Sequence, residues 1–251
     1  MVAMSNVREL RSGFTFGQRL DLVKPSRIHW RSRGRIARGK ITILDGDPGL
    51  GKSTLLMDWT AKVSRGLPLP DGDPQPERGV LLICAEDDPA DTIVPRLVVA
   101  GADLTEINLL FELPDTASDA AADSMRLVSL PDDVYLIEKA IVANKVGLVI
   151  IDPLMAFLSP ELKANSDQDV RQALTPLAKA CERTGASAVL VRHLNKGAAS
   201  NSLYRGGGSI GIIGIARFGL LLAKDRTDPA VRVLASTKTN LGAPPPSLTF
   251  R

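Results

Sequence analysis

The sequence is poor in aromatic rings and in cysteine. Phe, Trp and Tyr together make up 4% of its 251 residues. The core must therefore be built from Leu, Ile, Val and Ala, the usual filling of a parallel sheet covered by helices. The two cysteines, Cys84 and Cys181, each sit in an apolar run with no metal-type spacing. That pattern suits buried free thiols in a reducing compartment. No apolar run approaches the roughly 20 residues needed to span a bilayer, and the N-terminus lacks the apolar stretch of a secretory signal. The expectation is a soluble, cytoplasmic protein with no membrane partner. Net charge is only +3, too mild to argue for or against nucleic acid.

What is present is an alternation of strand and helix signals. Apolar runs at 41–44, 80–85, 146–151 and 188–191 read as buried strands. Between them, 52–65 carries Leu55, Leu56, Trp59 and Val63 on one helical face, and a helix over about 169–184 stops at Gly185. Pro131-Asp132-Asp133 opens another helix with acids in its first turn. A short strand is expected near 107–111, and two hairpin-like strands over 218–223 and 231–237. Residues 66–78, 113–125, 159–168 and 197–209 read as loops, and Pro244-Pro245-Pro246 as a terminus or linker. The length suits one large domain, and the alternation predicts an α/β fold with a mostly parallel sheet and helices on both faces.

The segment Gly46-Asp47-Pro48-Gly49-Leu50-Gly51-Lys52-Ser53-Thr54 joins the first buried strand to the first helix. That context is required for a phosphate-binding loop. Its glycines permit turns that a side chain would block, and their N–H groups with the helix N-terminus form an anion nest. Lys52 is expected on the β- and γ-phosphates of ATP and Ser53 on Mg2+. Asp152 ends a buried strand, so its carboxylate belongs at the same sheet edge, where it would support Mg2+. Pro153 follows it, so a hydrolytic base must come from elsewhere. Glu86, at the end of the neighbouring strand, is the candidate, with Asp87 and Asp88 as competitors. All three acids can alternatively serve only to start the next helix. His193 ends the fourth strand, placed either to sense the γ-phosphate or to fill a structural role. Arg205, Arg217 and Lys238 are candidates for contact with transferring phosphate, or solvated surface charges. The basic run over 24–40 reads as a phosphate-backbone contact, a linker docking on a neighbouring subunit, or a solvated segment.

These residues together resemble a family. The loop over 46–54, the strand ending Ala85-Glu86-Asp87, the Asp152-Pro153 strand end and His193-Leu194-Asn195-Lys196 are similar to the RecA-type P-loop ATPase core. The stretch Tyr204-Arg205-Gly206-Gly207-Gly208-Ser209-Ile210-Gly211, followed by Ala216-Arg217, resembles the RepA-like branch of hexameric helicases of plasmids, phages and prophages. The resemblance covers roughly 28–250, giving an N-terminal segment over 1–27 and an ATPase core over 28–251. It implies a homo-hexamer with ATP and Mg2+ at each subunit interface, acting on single-stranded DNA. It makes Glu86 the catalytic carboxylate, His193 the sensor, Arg217 or Arg205 the arginine finger of the neighbour, and Lys238 a second cation in trans. Loops over 159–168 and 196–209 would line the channel. The alternative function is an ATP-gated loader or assembly module that does not unwind. A small-molecule kinase is disfavoured because no Arg-rich lid is evident.

Overall fold

The computed structural model describes residues 20–74, 76–110, 112–114, 124–164, 166–194 and 210–251. The first elements are β1 (Trp30–Ser32), β2 (Ile36–Ala37), β3 (Ile41–Gly46), α1 (Lys52–Ser64), β4 (Gly79–Cys84) and α2 (Val94–Val99). Next come β5 (Ile107–Leu109), β6 (Glu112–Pro114), β7 (Met125–Leu127), α3 (Val134–Ala143), β8 (Val146–Asp152) and α4 (Asp167–Thr184). The last are β9 (Ser187–His193), α5 (Ile210–Ile215), β10 (Phe218–Lys224), β11 (Arg232–Thr239) and β12 (Leu248–Phe250).

Eight strands form one sheet in the order β12-β11-β10-β3-β9-β8-β4-β5. The six from β10 to β5 run parallel, and β11 and β12 add antiparallel at one edge. The central strands are apolar at nearly every position because both of their faces are covered. Alternation of side chains along each strand divides them between two cores. Ile41, Ile43, Val149, Ile151 and Leu190 pack against α3, α4 and α5. Leu44, Leu82, Ile150, Val189 and Val191 pack against α1, which presents Leu55, Leu56, Trp59 and Val63 as its periodicity predicts. Both cysteines are buried and free, and burial pushes each thiol up to about 12. Among the described residues no helix is long and apolar enough to cross a membrane.

Part of the basic run has a structural explanation. Residues 30–37 fold as the β1–β2 hairpin, and four of the seven Lys and Arg residues over 24–40 face acids of the same chain. Arg35 pairs with Asp71 at 2.8 Å, Lys40 with Glu182 at 2.9 Å, and Arg38 with Glu77. Arg31 is buried 3.7 Å from Glu77, and desolvation lowers its guanidinium to about 10. Neither backbone-phosphate contact nor docking on a neighbour is needed to account for these four cations. The proline tail differs from expectation as well. The Pro246 carbonyl accepts a hydrogen bond from Arg35, and the chain continues into β12, which pairs with β11. The tail is thus held in the fold and is not a linker.

One charged pair lies inside the sheet. Asp45 of β3 and Arg192 of β9 are register partners, 3% or less exposed in their side chains, and joined by two hydrogen bonds of 2.7 and 2.9 Å. Removing one partner leaves an uncompensated buried charge, which costs about 3–5 kcal/mol, whereas replacing both by apolar residues is often tolerated. In urea denaturation, Asp45→Leu and Arg192→Leu should each lose about 3–5 kcal/mol, and the double variant should lose clearly less than their sum. Additive losses would show that the pair is uncoupled.

Candidate active site

The site grows from the carboxyl ends of four parallel strands. β3 stops at Gly46, and the chain turns through 47–51 into α1. A Cβ on Gly46 would lie 2.8 Å from the Leu222 carbonyl oxygen, so only glycine fits there. Gly49 and Gly51 are required for a different reason. Their φ values are 73° and 90°, in the left-handed region that glycine enters without strain, and neither is short of space. The result points the N-terminus of the 13-residue helix α1 at the loop, a ready anion site.

Lys52 is buried. Its ammonium donates to the carbonyls of Gly46 at 2.8 Å and Asp47 at 3.0 Å and stands 3.2 Å from His193 Nδ1. Burial lowers its pKa, opposed chiefly by the charge of Asp152. Ser53 Oγ donates to Asp152 Oδ2 at 2.9 Å. Burial raises the Asp152 carboxyl above its usual range, opposed by that hydrogen bond, while the charge of Glu86 raises it further. Strand register explains the convergence: Gly46 pairs with His193 and Cys84 with Asp152.

The structure separates the three acids after β4. Asp87 is ion-paired with Arg96 at 2.9 Å. Asp88 caps the following helical turn, accepting from the backbone N–H of Ala90 at 2.7 Å and Asp91 at 3.1 Å. Glu86 is exposed, and its charge is felt at both Lys52 and Asp152. Of the three, it alone is not committed to a side-chain contact with a helix.

Ser53 and Asp152 offer the hard oxygens that suit Mg2+, an ion that typically takes one or two protein ligands and completes its shell with phosphate and water. Among the described residues no group of three or more His, Cys, Asp or Glu is arranged to hold a metal without such help.

Other candidates lie apart. Arg217 is exposed just before β10, its N–H on the Ile41 carbonyl at the start of β3. Phe218 is level with Thr42, four residues and about 13 Å along the strand from Gly46. Lys238 stands opposite Gly219 and donates to the carbonyls of Ile213 at 2.6 Å and Gly214 at 3.3 Å. Burial lowers its pKa, and the charges of Arg217 and Arg171 lower it further. These three cations thus form a group near the amino edge of the sheet, away from the chain's own phosphate loop. Arg205, Asn195 and Lys196 fall outside the described residues, as does the whole of the 196–209 loop.

Two features escaped sequence reasoning. Arg232 Nε donates to the Leu50 carbonyl at 3.2 Å, bracing the phosphate loop from β11. Nothing local in the sequence marks that contact. The Asp45–Arg192 pair left a visible trace, a charge directly after each of two apolar runs, but not the pairing.

A family model described as an AAA domain matches residues 8–199, and the chain belongs to that family of P-loop ATPases. No curated protein matches it. The loop and the Ser53–Asp152 pair fall within the matched span and are the parts that an ATP-binding domain requires.

Nucleotide binding should stabilise the fold by about 2.7 kcal/mol at a hundredfold excess over Kd. In thermal-shift titrations with ATP, Lys52→Ala should lose the shift with or without Mg2+. Asp152→Asn should keep a shift that no longer depends on Mg2+. A wild-type response from Lys52→Ala would contradict the loop assignment.

Proposed function

We propose that this chain is an ATP-hydrolysing, ring-forming motor of RepA-like type acting on single-stranded DNA. The observation that carries the reading is the division of charges between the two edges of the sheet. The carboxyl edge gathers Lys52, Ser53, Asp152, Glu86 and His193 around the phosphate loop. The cations Arg217, Lys238 and Arg171 stand near the amino edge, where a nucleotide held by a neighbour can use them and the chain's own cannot.

In this reading Lys52 binds the β- and γ-phosphates, replacing its present carbonyl acceptors. His193, beside Lys52, senses the γ-phosphate. Mg2+ on Ser53 and Asp152 neutralises phosphate charge when bound. Glu86 orients a water toward the γ-phosphorus and accepts its proton as the new P–O bond forms and the bond to the β-phosphate oxygen breaks, releasing ADP and phosphate. Arg217 of the next subunit stabilises the transferring charge.

One observation favours the alternative of a loader or assembly ATPase. Of the two proposed channel loops, the described part of 159–168 contains no aromatic side chain and one cation, Lys163. Stacking on DNA bases, the usual source of single-strand affinity, would have to come from elsewhere.

The test is ATPase activity with and without single-stranded DNA, on wild type and variants. A motor is stimulated by DNA and a loader of this kind is not. Glu86→Gln should retain ATP binding and lose about 10²–10⁴-fold in turnover. Arg217→Ala should also be slow. Mixed with Glu86→Gln, it should recover activity at interfaces where an intact Glu86 faces an intact Arg217. Wild-type turnover by Glu86→Gln would overturn the base assignment, and a mixture no faster than its components would overturn the finger in trans.

A further inference from the structure

We infer that Arg232 is a positioning residue for the triphosphate: by holding the Leu50 carbonyl, it fixes the peptide unit that presents the Gly51 N–H to bound phosphate. This rests on the phosphate-loop reading above and adds a residue beyond the family match, which ends at 199.

The loop needs such a hold. Leu50 lies between Gly49 and Gly51, both in the left-handed region at φ 73° and 90°. A peptide unit beside glycine has two accessible orientations related by a half-turn, as in type I and type II turns. In one, the Gly51 N–H faces the ligand. In the other, the Leu50 carbonyl does, and its negative end opposes phosphate. The Leu50 side chain is buried in the core that packs against α1. That anchors the residue but not the peptide unit that follows it.

Arg232 Nε makes the choice by donating to the Leu50 carbonyl at 3.2 Å. Among the described residues the cis bonds precede Pro131 and Pro153, so the Leu50–Gly51 bond is trans. In a trans peptide the carbonyl and the following N–H point in opposite directions. The Gly51 N–H therefore points away from Arg232. Gly51 is the N-cap of α1, so this N–H has no acceptor within the helix. It is one of the donors that make the start of α1 an anion site. The Lys52 contacts to loop carbonyls must be given up when phosphate binds. The Arg232 contact can persist, because the carbonyl it holds faces away from the ligand.

The guanidinium is itself held in place. Its Nη1 donates to the carbonyls of Pro229 at 2.6 Å and Val231 at 3.4 Å. Both belong to the turn between β10 and β11. That turn is closed by the Asp225 N–H on the Val231 carbonyl and the Val231 N–H on the Asp228 carbonyl, each at 3.0 Å. The Asp225 carboxylate also accepts from the backbone N–H of Thr227 at 2.8 Å and of Asp228 at 3.0 Å. Arg232 thus reaches the loop from a fixed base.

The test is calorimetric binding of inorganic tripolyphosphate with Mg2+, together with KM and kcat for ATP. Tripolyphosphate carries the phosphate contacts without a nucleoside. Arg232→Met keeps the length of the side chain and loses the donor. Arg232→Gln keeps an N–H donor on the same carbon, Cδ, and loses the charge. Arg232→Met should bind tripolyphosphate roughly ten- to hundredfold more weakly, the effect of losing a hydrogen bond to a charged group. Arg232→Gln should bind within about threefold of wild type. The contact serves ground and transition states alike, so Arg232→Met should raise KM by the same factor and leave kcat nearly unchanged. Wild-type binding by Arg232→Met would overturn the positioning role, as would Arg232→Gln binding as weakly as Arg232→Met. A lower kcat at unchanged KM, the mark of a smaller folded fraction, would also overturn it. If Arg232→Met does not fold, Arg232→Asn, whose donor stops one bond short, is read in its place. A wild type that binds no tripolyphosphate would overturn the phosphate-loop reading, and this inference with it.

Discussion

Everything at the site depends on the register of four parallel strands. β3, β9, β8 and β4 lie side by side and end on the same edge. Gly46 is level with His193, and Cys84 with Asp152. A slip of one residue in any pairing would turn that strand's side chains to the other face. The two apolar cores penalise such a slip strongly. Between β3 and β9 the buried Asp45–Arg192 pair adds a polar key, one residue before Gly46 and one before His193. An ion pair is an expensive way to stabilise a sheet. Its position suggests a different value: it fixes the phosphate loop and His193 at the same height.

The electrostatics of the site point the same way. Burial disfavours the charged form of Lys52 and of Asp152 alike. Lys52 is satisfied by carbonyls of its own loop, and Asp152 by the Ser53 hydroxyl. These contacts occupy the groups that a magnesium–triphosphate would take. Ligand binding then exchanges one set of partners for another with little rearrangement, which is the meaning of a preformed site. Glu86 stands outside this set of contacts, exposed at the end of β4 while Asp87 and Asp88 are tied to the helical segment that follows.

Local signals made much of this legible in advance. The glycine spacing, the apolar runs and the helical face of α1 each specify a conformation within a few residues, and the main sheet and the loop follow from them. Where partners are distant in sequence, legibility failed. The cations of 24–40 leave three readings open in the sequence because Asp71, Glu77 and Glu182, which hold several of them, lie 36 or more residues away. Pro244-Pro245-Pro246 reads as a terminus or linker because neither Arg35 nor the pairing of β12 with β11 is visible from the prolines themselves. The sequence around Arg217 and Lys238 does not tell which edge of the sheet they occupy. Strand order decides that, and strand order is a long-range property.

In the ring proposed above, each chain carries half a hydrolytic site, with the carboxyl edge on one subunit and the amino-edge cations on the next. The most direct measurement is specific ATPase activity as a function of protein concentration, followed alongside native mass. Turnover per chain should be low for monomers and rise with concentration in step with assembly. A turnover per chain that stays constant across the same range, with the protein monomeric throughout, would contradict it.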